Sequence, residues 1–213
     1  MRFDDFEKLL PKIKNIPLPA ESSHFKMMPP ERKDFIETYK HKIKTGKKAG
    51  VLALFYPNTE GDTSLILMLR KTYKGVHSAQ ISFPGGKLES DDKDLKATAL
   101  RETYEEVGVR LDEAEVIKQL SYVYIPPSNF YVQPFIGVKL ETPQFVKEEA
   151  EVEQLIEIIV SDLLNGENVL VKKVNASYGI DIEVPTFQLN GFTVWGATAM
   201  MLSEIKDILN KLV

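Results

Sequence analysis

The sequence predicts an α+β protein, with a mixed sheet layered between helices. Two observations lead there. From Gly50 onward, short apolar runs separated by polar turns recur as strand candidates, and few well-separated amphipathic stretches interrupt them. The first of those stretches follows Pro84-Gly85-Gly86 and carries Glu102, Glu105 and Glu106 close to its end.

In chain order, Phe3, Phe6, Leu9, Leu10 and Ile13 sit at helical spacing, with Pro11 as an interruption. Polar residues and a Met27-Met28-Pro29-Pro30 turn follow, and residues 31–44 read as a charged helix. Residues 1–48 are therefore expected to be an N-terminal helical extension packed on a main domain of residues 49–213, because their apolar content is too small for a separate core. Residues 51–56 and 64–70 predict a hairpin. Residues 80–83 predict a strand that Pro84, lacking an N–H, ends. Gly85 and Gly86 predict a tight turn that admits close approach of a ligand or ion.

The helix that follows is offered N-cap side chains by Ser90, Asp91 and Asp92, and Gly108 suits the left-handed position past its end. Ala97, Leu100, Tyr104 and Val107 are expected on its packed face, with the three glutamates roughly opposite. Further strands are expected over residues 115–124, 130–140, 155–160, 169–174 and 180–188, with a short helical turn at 161–166. An amphipathic helix over 193–212, entered through Trp195-Gly196, closes the chain.

Composition bounds the function. The 213 residues, 43% hydrophobic and 27% charged, describe an ordinary globule able to bury a sizeable core. A net charge of −4 speaks against a nucleic-acid partner, despite a local basic cluster at residues 40–48. No cysteine means no disulfide framework, thiolate zinc site or cysteine nucleophile. His24, His41 and His77 are too scattered for a histidine-rich metal site. No apolar run approaches the ~20 residues that span a bilayer, and the first residues lack the apolar core of a signal peptide. A cytoplasmic enzyme without a membrane partner is the expectation.

The acids carry the chemistry. Glu102, Glu105 and Glu106 lie three and four residues apart, so they repel as helical neighbours, and they crowd the end that the macrodipole makes negative. Arg101 offsets part of this. A further cation is expected, and magnesium suits a few carboxylates shared with water and phosphate.

Gly86 to Val109 resembles the signature of the Nudix hydrolases, G-x5-E-x7-R-E-U-x-E-E-x-G-U. Arg101-Glu102 and Glu105-Glu106-x-Gly108-Val109 match as they stand. Asp92 replaces the first glutamate, Thr103 stands where a bulky aliphatic residue belongs, and the loop between Gly86 and Arg101 is one residue longer. The resemblance implies a mixed sheet sandwiched between helices and hydrolysis of a small-molecule diphosphate with Mg2+ or Mn2+. It implies metal ligation by Glu102, Glu105 and Glu106 with help from the Gly86 carbonyl, orientation of the glutamates by Arg101, and a secondary role for Asp92.

Residues 70–87, the Gln133-Pro134-Phe135-Ile136-Gly137 segment, Glu151-Val152-Glu153 and residues 195–199 are similar to the coenzyme A diphosphatases of that family. The implied products are 4'-phosphopantetheine and adenosine 3',5'-bisphosphate. That subfamily's R-x3-G-x3-F-P-G-G pattern meets Gly75 and Ala79 here, so Arg70, Lys71 and Lys74 are candidate replacements for the missing anion contact, and His77 could face a phosphate or a base. Candidate general bases are Glu105, placed first, then Glu151 or Glu153. Hydrolysis of another nucleoside diphosphate derivative such as ADP-ribose is the alternative, followed by a non-catalytic ligand-binding module. A homodimer is left open.

Overall fold

The computed structural model describes residues 1–30, 45–71, 80–176 and 179–213. The charged helix expected over 31–44, together with Lys74, Gly75, His77 and Ala79, lies outside them.

Strand β1 (Lys47–Pro57) is buried from Ala49 to Tyr56, which is why it reads as a continuous apolar run. Alternate side chains serve different layers. Val51, Ala53 and Phe55 join one core, and Leu52, Leu54 and Tyr56 the other. Around β1 are arranged β2 (Thr63–Arg70), β3 (Ile81–Ser82), β4 (Gly85–Lys87), β5 (Val116–Gln119), β6 (Val123–Ile125), β7 (Phe130–Val138) and β8 (Val152–Ile159). The β1–β7 pairing is parallel and the others antiparallel, so the sheet is mixed. A second sheet of β9 (Val169–Ala176), β10 (Gly179–Leu189) and β11 (Phe192–Val194) follows.

Helices cover both faces of the main sheet. On one side lie α1 (Phe3–Glu7), α2 (Leu10–Asn15) and α3 (Glu21–His24), which bury Phe3, Phe6, Ile13 and His24. With them are the short α5 (Val160–Leu164) and the closing α6 (Gly196–Asn210). On the other side α4 (Leu95–Val107) packs on β1 and β4. Pro11 sits in the first turn of α2, where its missing N–H costs nothing. The N-terminal segment is pinned by Glu204 of α6, which is fully buried. Its carboxylate accepts from Ser121 Oγ (2.6 Å), Ser121 N (3.0 Å) and Ala20 N (3.2 Å), and lies 3.4 Å from His24 Nε2. Burial pushes that carboxyl up, but the hydrogen bonds from His24 and Ser121 prevail and hold it below the usual glutamate value.

Several expectations need correction. The single strand over 115–124 is instead β5 and β6 with a break at 120–122. Pro134 on β7 has no N–H, and Gln133 Nε2 donates to Leu120 O (2.6 Å) there instead, so the ladder is interrupted. The closing helix starts at Gly196 rather than 193, because Phe192–Val194 pairs with β10 across an Asn190-Gly191 turn with positive φ at both residues. The glycine pair expected as a turn is strand β4, in register with β1 as Gly50↔Gly86 and Val51↔Gly85.

Candidate active site

Helix α4 is capped by Asp94, whose Oδ1 accepts from Ala97 N (2.8 Å), and not by Ser90, Asp91 or Asp92. Gly108 ends it in the left-handed conformation (φ 75°), as the sequence suggests. Of the face expected to pack, Val107 is buried and Leu100 packs partly buried against the core, but Tyr104 does not. Tyr104 is 47% exposed, and the buried positions are Thr98, Ala99, Thr103, Glu106 and Val107. Small side chains form this face because the helix lies almost against the sheet. A methyl group built on Gly50 would overlap the Leu95 carbonyl oxygen. Thr103, at the place of a bulky aliphatic residue, fits there by returning its hydroxyl to Ala99 O (2.6 Å).

The same close approach places the carboxylates. A methyl group on Gly86 would overlap the Glu102 carboxylate, so Glu102 rests directly on β4. Glu106, 1% exposed, accepts from Gly85 N (2.7 Å) and Arg70 Nη1 (2.8 Å). Burial pushes the Glu106 carboxyl up to about 7, with Arg70 and the Gly85 N–H opposing. Burial also raises Glu102, against the pull of Arg101, and the charges of Glu105 and Glu151 add to the rise. Glu105 stands at the rim with its side chain 52% exposed.

Arg101 is the hub of one side. Its Nη1 donates to Glu102 Oε1 (3.0 Å) and Glu105 Oε2 (2.8 Å). Its Nε and Nη2 grip Asp92 Oδ1 (3.0 Å) and Oδ2 (2.9 Å). Asp92 also accepts from Thr98 Oγ1 (2.9 Å) and Glu89 N (3.0 Å). Hydrogen bonding from Arg101 holds the Asp92 carboxyl down at about 2, against the cost of burial. The extra loop residue and the shorter acid thus occur together in a side chain that still reaches Arg101 with both oxygens.

The loop carrying Glu151 is fastened from two sides. Val146 N and Glu148 N donate to Val107 O and Glu106 O (both 3.0 Å), satisfying carbonyls that the end of α4 leaves open. Lys71 N donates to Glu151 O (2.9 Å). Glu151 Oε2 lies 3.7 Å from Arg70 Nη2. Of the residues expected to meet substrate, Arg70 therefore faces the acids, and Lys71 Nζ donates to Glu149 O. Lys74 and His77 lie outside the described residues. Glu153 is exposed on β8 and accepts from Lys147 Nζ through its carbonyl. Sequence reasoning missed the Gly85 N–H and the true partners of Arg70. No residue spacing announces either, since both depend on β2 and β4 ending beside α4.

Five carboxylates, Asp92, Glu102, Glu105, Glu106 and Glu151, face two guanidinium groups, a formal charge of −3. Among the described residues no three acids or histidines stand close enough together to hold an ion as they are arranged; Arg70 and Arg101 take up oxygens of Glu106, Glu102 and Glu105. The all-oxygen donor set, its negative excess and the Glu102 carboxylate seated on Gly86 fit a hard divalent cation. A cavity of about 610 Å³ near the start of α4 includes none of these acids. There Lys96 is paired with Glu113, and Lys118 donates to Lys14 O and Ile16 O.

A mixed sheet between helices, with a glycine strand and an Arg-Glu helix at its centre, defines a class, and the Nudix domain profile matches residues 46–170. The chain belongs to the Nudix hydrolase family, whose members generally require divalent metal ions. It is 32% identical over 146 residues to the mitochondrial coenzyme A diphosphatase NUDT8 of Homo sapiens, covering 68% of this chain and 62% of that one. It is 33% identical over 124 residues to Nudix hydrolase 15, mitochondrial, of Arabidopsis thaliana, covering 57% and 43%. These matches thus span less than two thirds of either relative. The Nudix hydrolase NudL of Yersinia pestis is 28% identical over 173 residues, covering 81% and 85%. A MutT/nudix family protein from Enterococcus faecalis shares the fold with a TM-score of 0.54 at 14% identity, covering 92% of this chain and 76% of that one.

Proposed function

We propose that this Nudix hydrolase cleaves the diphosphate bond of coenzyme A or acyl-coenzyme A, releasing 4'-phosphopantetheine (or its acyl form) and adenosine 3',5'-bisphosphate. The observation that carries the reading is the 32% identity over 146 residues to a coenzyme A diphosphatase. The acids around Gly86 supply matching chemistry. Water forms a new P–O bond, the bridging P–O bond breaks, and both products leave as phosphomonoesters.

In this reading Glu102, Glu105 and Glu106, with the Gly86 carbonyl, hold Mg2+ or Mn2+. The bound ion supplies charge neutralisation on the phosphate oxygens and a more acidic water. Arg101 keeps the Glu102 and Glu105 carboxylates side by side, with Glu102 against β4, and Asp92 keeps Arg101 in place. The proton of the attacking water goes to a carboxylate at the rim. Glu105 and Glu151 are the two exposed enough to receive it, with side-chain exposures of 52% and 58%.

A substrate panel tests the assignment. Coenzyme A, acetyl-coenzyme A and ADP-ribose are incubated with Mg2+ or Mn2+ and the products separated by chromatography. Adenosine 3',5'-bisphosphate from the coenzyme A substrates, at higher kcat/KM than any ADP-ribose cleavage, is expected. Inert coenzyme A beside rapid ADP-ribose turnover overturns it, and Gly75 and Ala79 then mark a different pocket.

A further inference from the structure

Two arginines divide the acids of the site into pairs. Arg101 belongs to the family signature and holds Glu102 (3.0 Å) and Glu105 (2.8 Å). Arg70 lies outside that signature, at the end of β2, and does the same for the other pair: Glu106 at 2.8 Å and Glu151 at 3.7 Å. We propose that Arg70 is a positioning residue, the counterpart of Arg101, which joins the buried acid of helix α4 to the acid of the 146–152 loop. This rests on the reading of the acids as a metal site.

Three features support a built role over a chance surface contact. First, Arg70 is placed by its backbone. Its N–H donates to Gln80 O (3.0 Å), and it is in register with Val152, just past the place where β8 carries one extra residue, Glu153, opposite β2. Such a bulge bends the strand that bears it, here β8 next to Glu151. Second, its partner has no slack. Glu106 is 1% exposed, and its other oxygen is held by the Gly85 N–H. A carboxylate this buried needs a charged or hydrogen-bonding partner at each oxygen, and Arg70 supplies the second. Third, the loop bearing Glu151 is tied by separate backbone bonds to the end of α4 and to Lys71. Arg70 thus spans two segments that are already docked, hydrogen-bonded to Glu106 and within ion-pair distance of the exposed Glu151 carboxylate. With its side chain 22% exposed and both sides of its fork turned to acids, it is poorly placed to grip a substrate phosphate.

The test compares Arg70→Met and Arg70→Lys with wild type, first without substrate. Mn2+ binding is followed by calorimetry and by the electron paramagnetic resonance of the bound ion, with Glu106→Gln as control. Steady-state kinetics follow. Loss of a residue that orients ligands weakens metal binding ~10–100-fold. A drop of that size is expected for Arg70→Met, together with a fall in kcat and a KM changed less than about 2-fold. Arg70→Lys, which keeps one charged donor but not the fork, should recover part of both. If Arg70→Met does not fold, Arg70→Lys decides on the same readouts. A raised KM with unchanged Mn2+ binding makes Arg70 a substrate contact and overturns the inference. Wild type that binds no Mn2+, like Glu106→Gln, overturns instead the metal-site reading beneath it.

Discussion

Asp92→Asn is the perturbation whose size the structure fixes best. The Asp92 side chain is 5% exposed and meets Arg101 through both oxygens at 2.9–3.0 Å. Its carboxyl is held at about 2 instead of 3.8, a difference equivalent to roughly 2 kcal/mol favouring the folded state when ionised. Hydrogen bonds to charged groups contribute about 1.5–3 kcal/mol on independent grounds. Asparagine keeps the shape but not the charge. At pH 7 it should lower unfolding stability by about 2 kcal/mol, or the melting temperature by roughly 4–8 °C for a chain of this size. The sign with pH follows from a depressed folded-state value. The wild-type advantage is complete above the ordinary aspartate range and is lost as pH falls from about 4 toward 2. Urea denaturation of both proteins from pH 7 to pH 3 measures it. Equal stability at pH 7, or a gap that widens on acidification, would refute the reasoning.

Other substitutions probe separate parts of the site. Gly86→Ala should displace the Glu102 carboxylate and weaken Mn2+ binding at least ~10-fold, while thermal stability falls by about 1–3 kcal/mol from overpacking; unaltered metal binding by calorimetry would contradict the placement of Glu102. Glu151→Gln should lower kcat by ~10²-fold or more if Glu151 takes the proton, whereas Glu153→Gln should leave kcat within about 2-fold. Equal effects in a kcat comparison would show that the loop is oriented otherwise. Glu204→Gln leaves the buried Ser121 and His24 groups without their anion and should cost about 2 kcal/mol at neutral pH. Because the Glu204 carboxyl is held below its usual value, that difference should shrink as pH drops through and below the ordinary glutamate range, as read from melting temperatures.

The strands and the acidic helix were legible because each depends on local pattern. The run 51–56 is apolar on both faces and became the centre of β1, and Gly108 stops α4 where a left-handed residue is needed. What was not legible depends on neighbours in space. The packed face of α4 looked like Ala97, Leu100, Tyr104 and Val107 when only hydrophobicity was counted. Gly50, forty-five residues before Leu95, is what brings the helix so near the sheet that Ala99, Thr103 and Glu106 face inward. Arg70 is expected as a substrate contact because Gly75 stands where the subfamily pattern has an arginine, and Arg70 is a nearby cation that could replace it. Only the pairing of β2 with β8 shows that Glu106 and Glu151 already surround it. The β10–β11 hairpin was within reach of sequence reasoning. Asn190-Gly191 is a strong two-residue turn signal, but the amphipathic pattern beginning at Thr193 drew those residues into the closing helix.

The central claim is that the acids gathered on β4 by helix α4 make a metal-dependent diphosphatase site. The most direct measurement is coenzyme A turnover with and without Mg2+ or Mn2+, for wild type and for Glu106→Gln, with circular dichroism confirming that both are folded. Release of adenosine 3',5'-bisphosphate that requires the ion and falls ~10³-fold or more in the variant, several kcal/mol of barrier, is the predicted result. Undiminished turnover by folded Glu106→Gln, or equal turnover in the presence of a chelator, would contradict it.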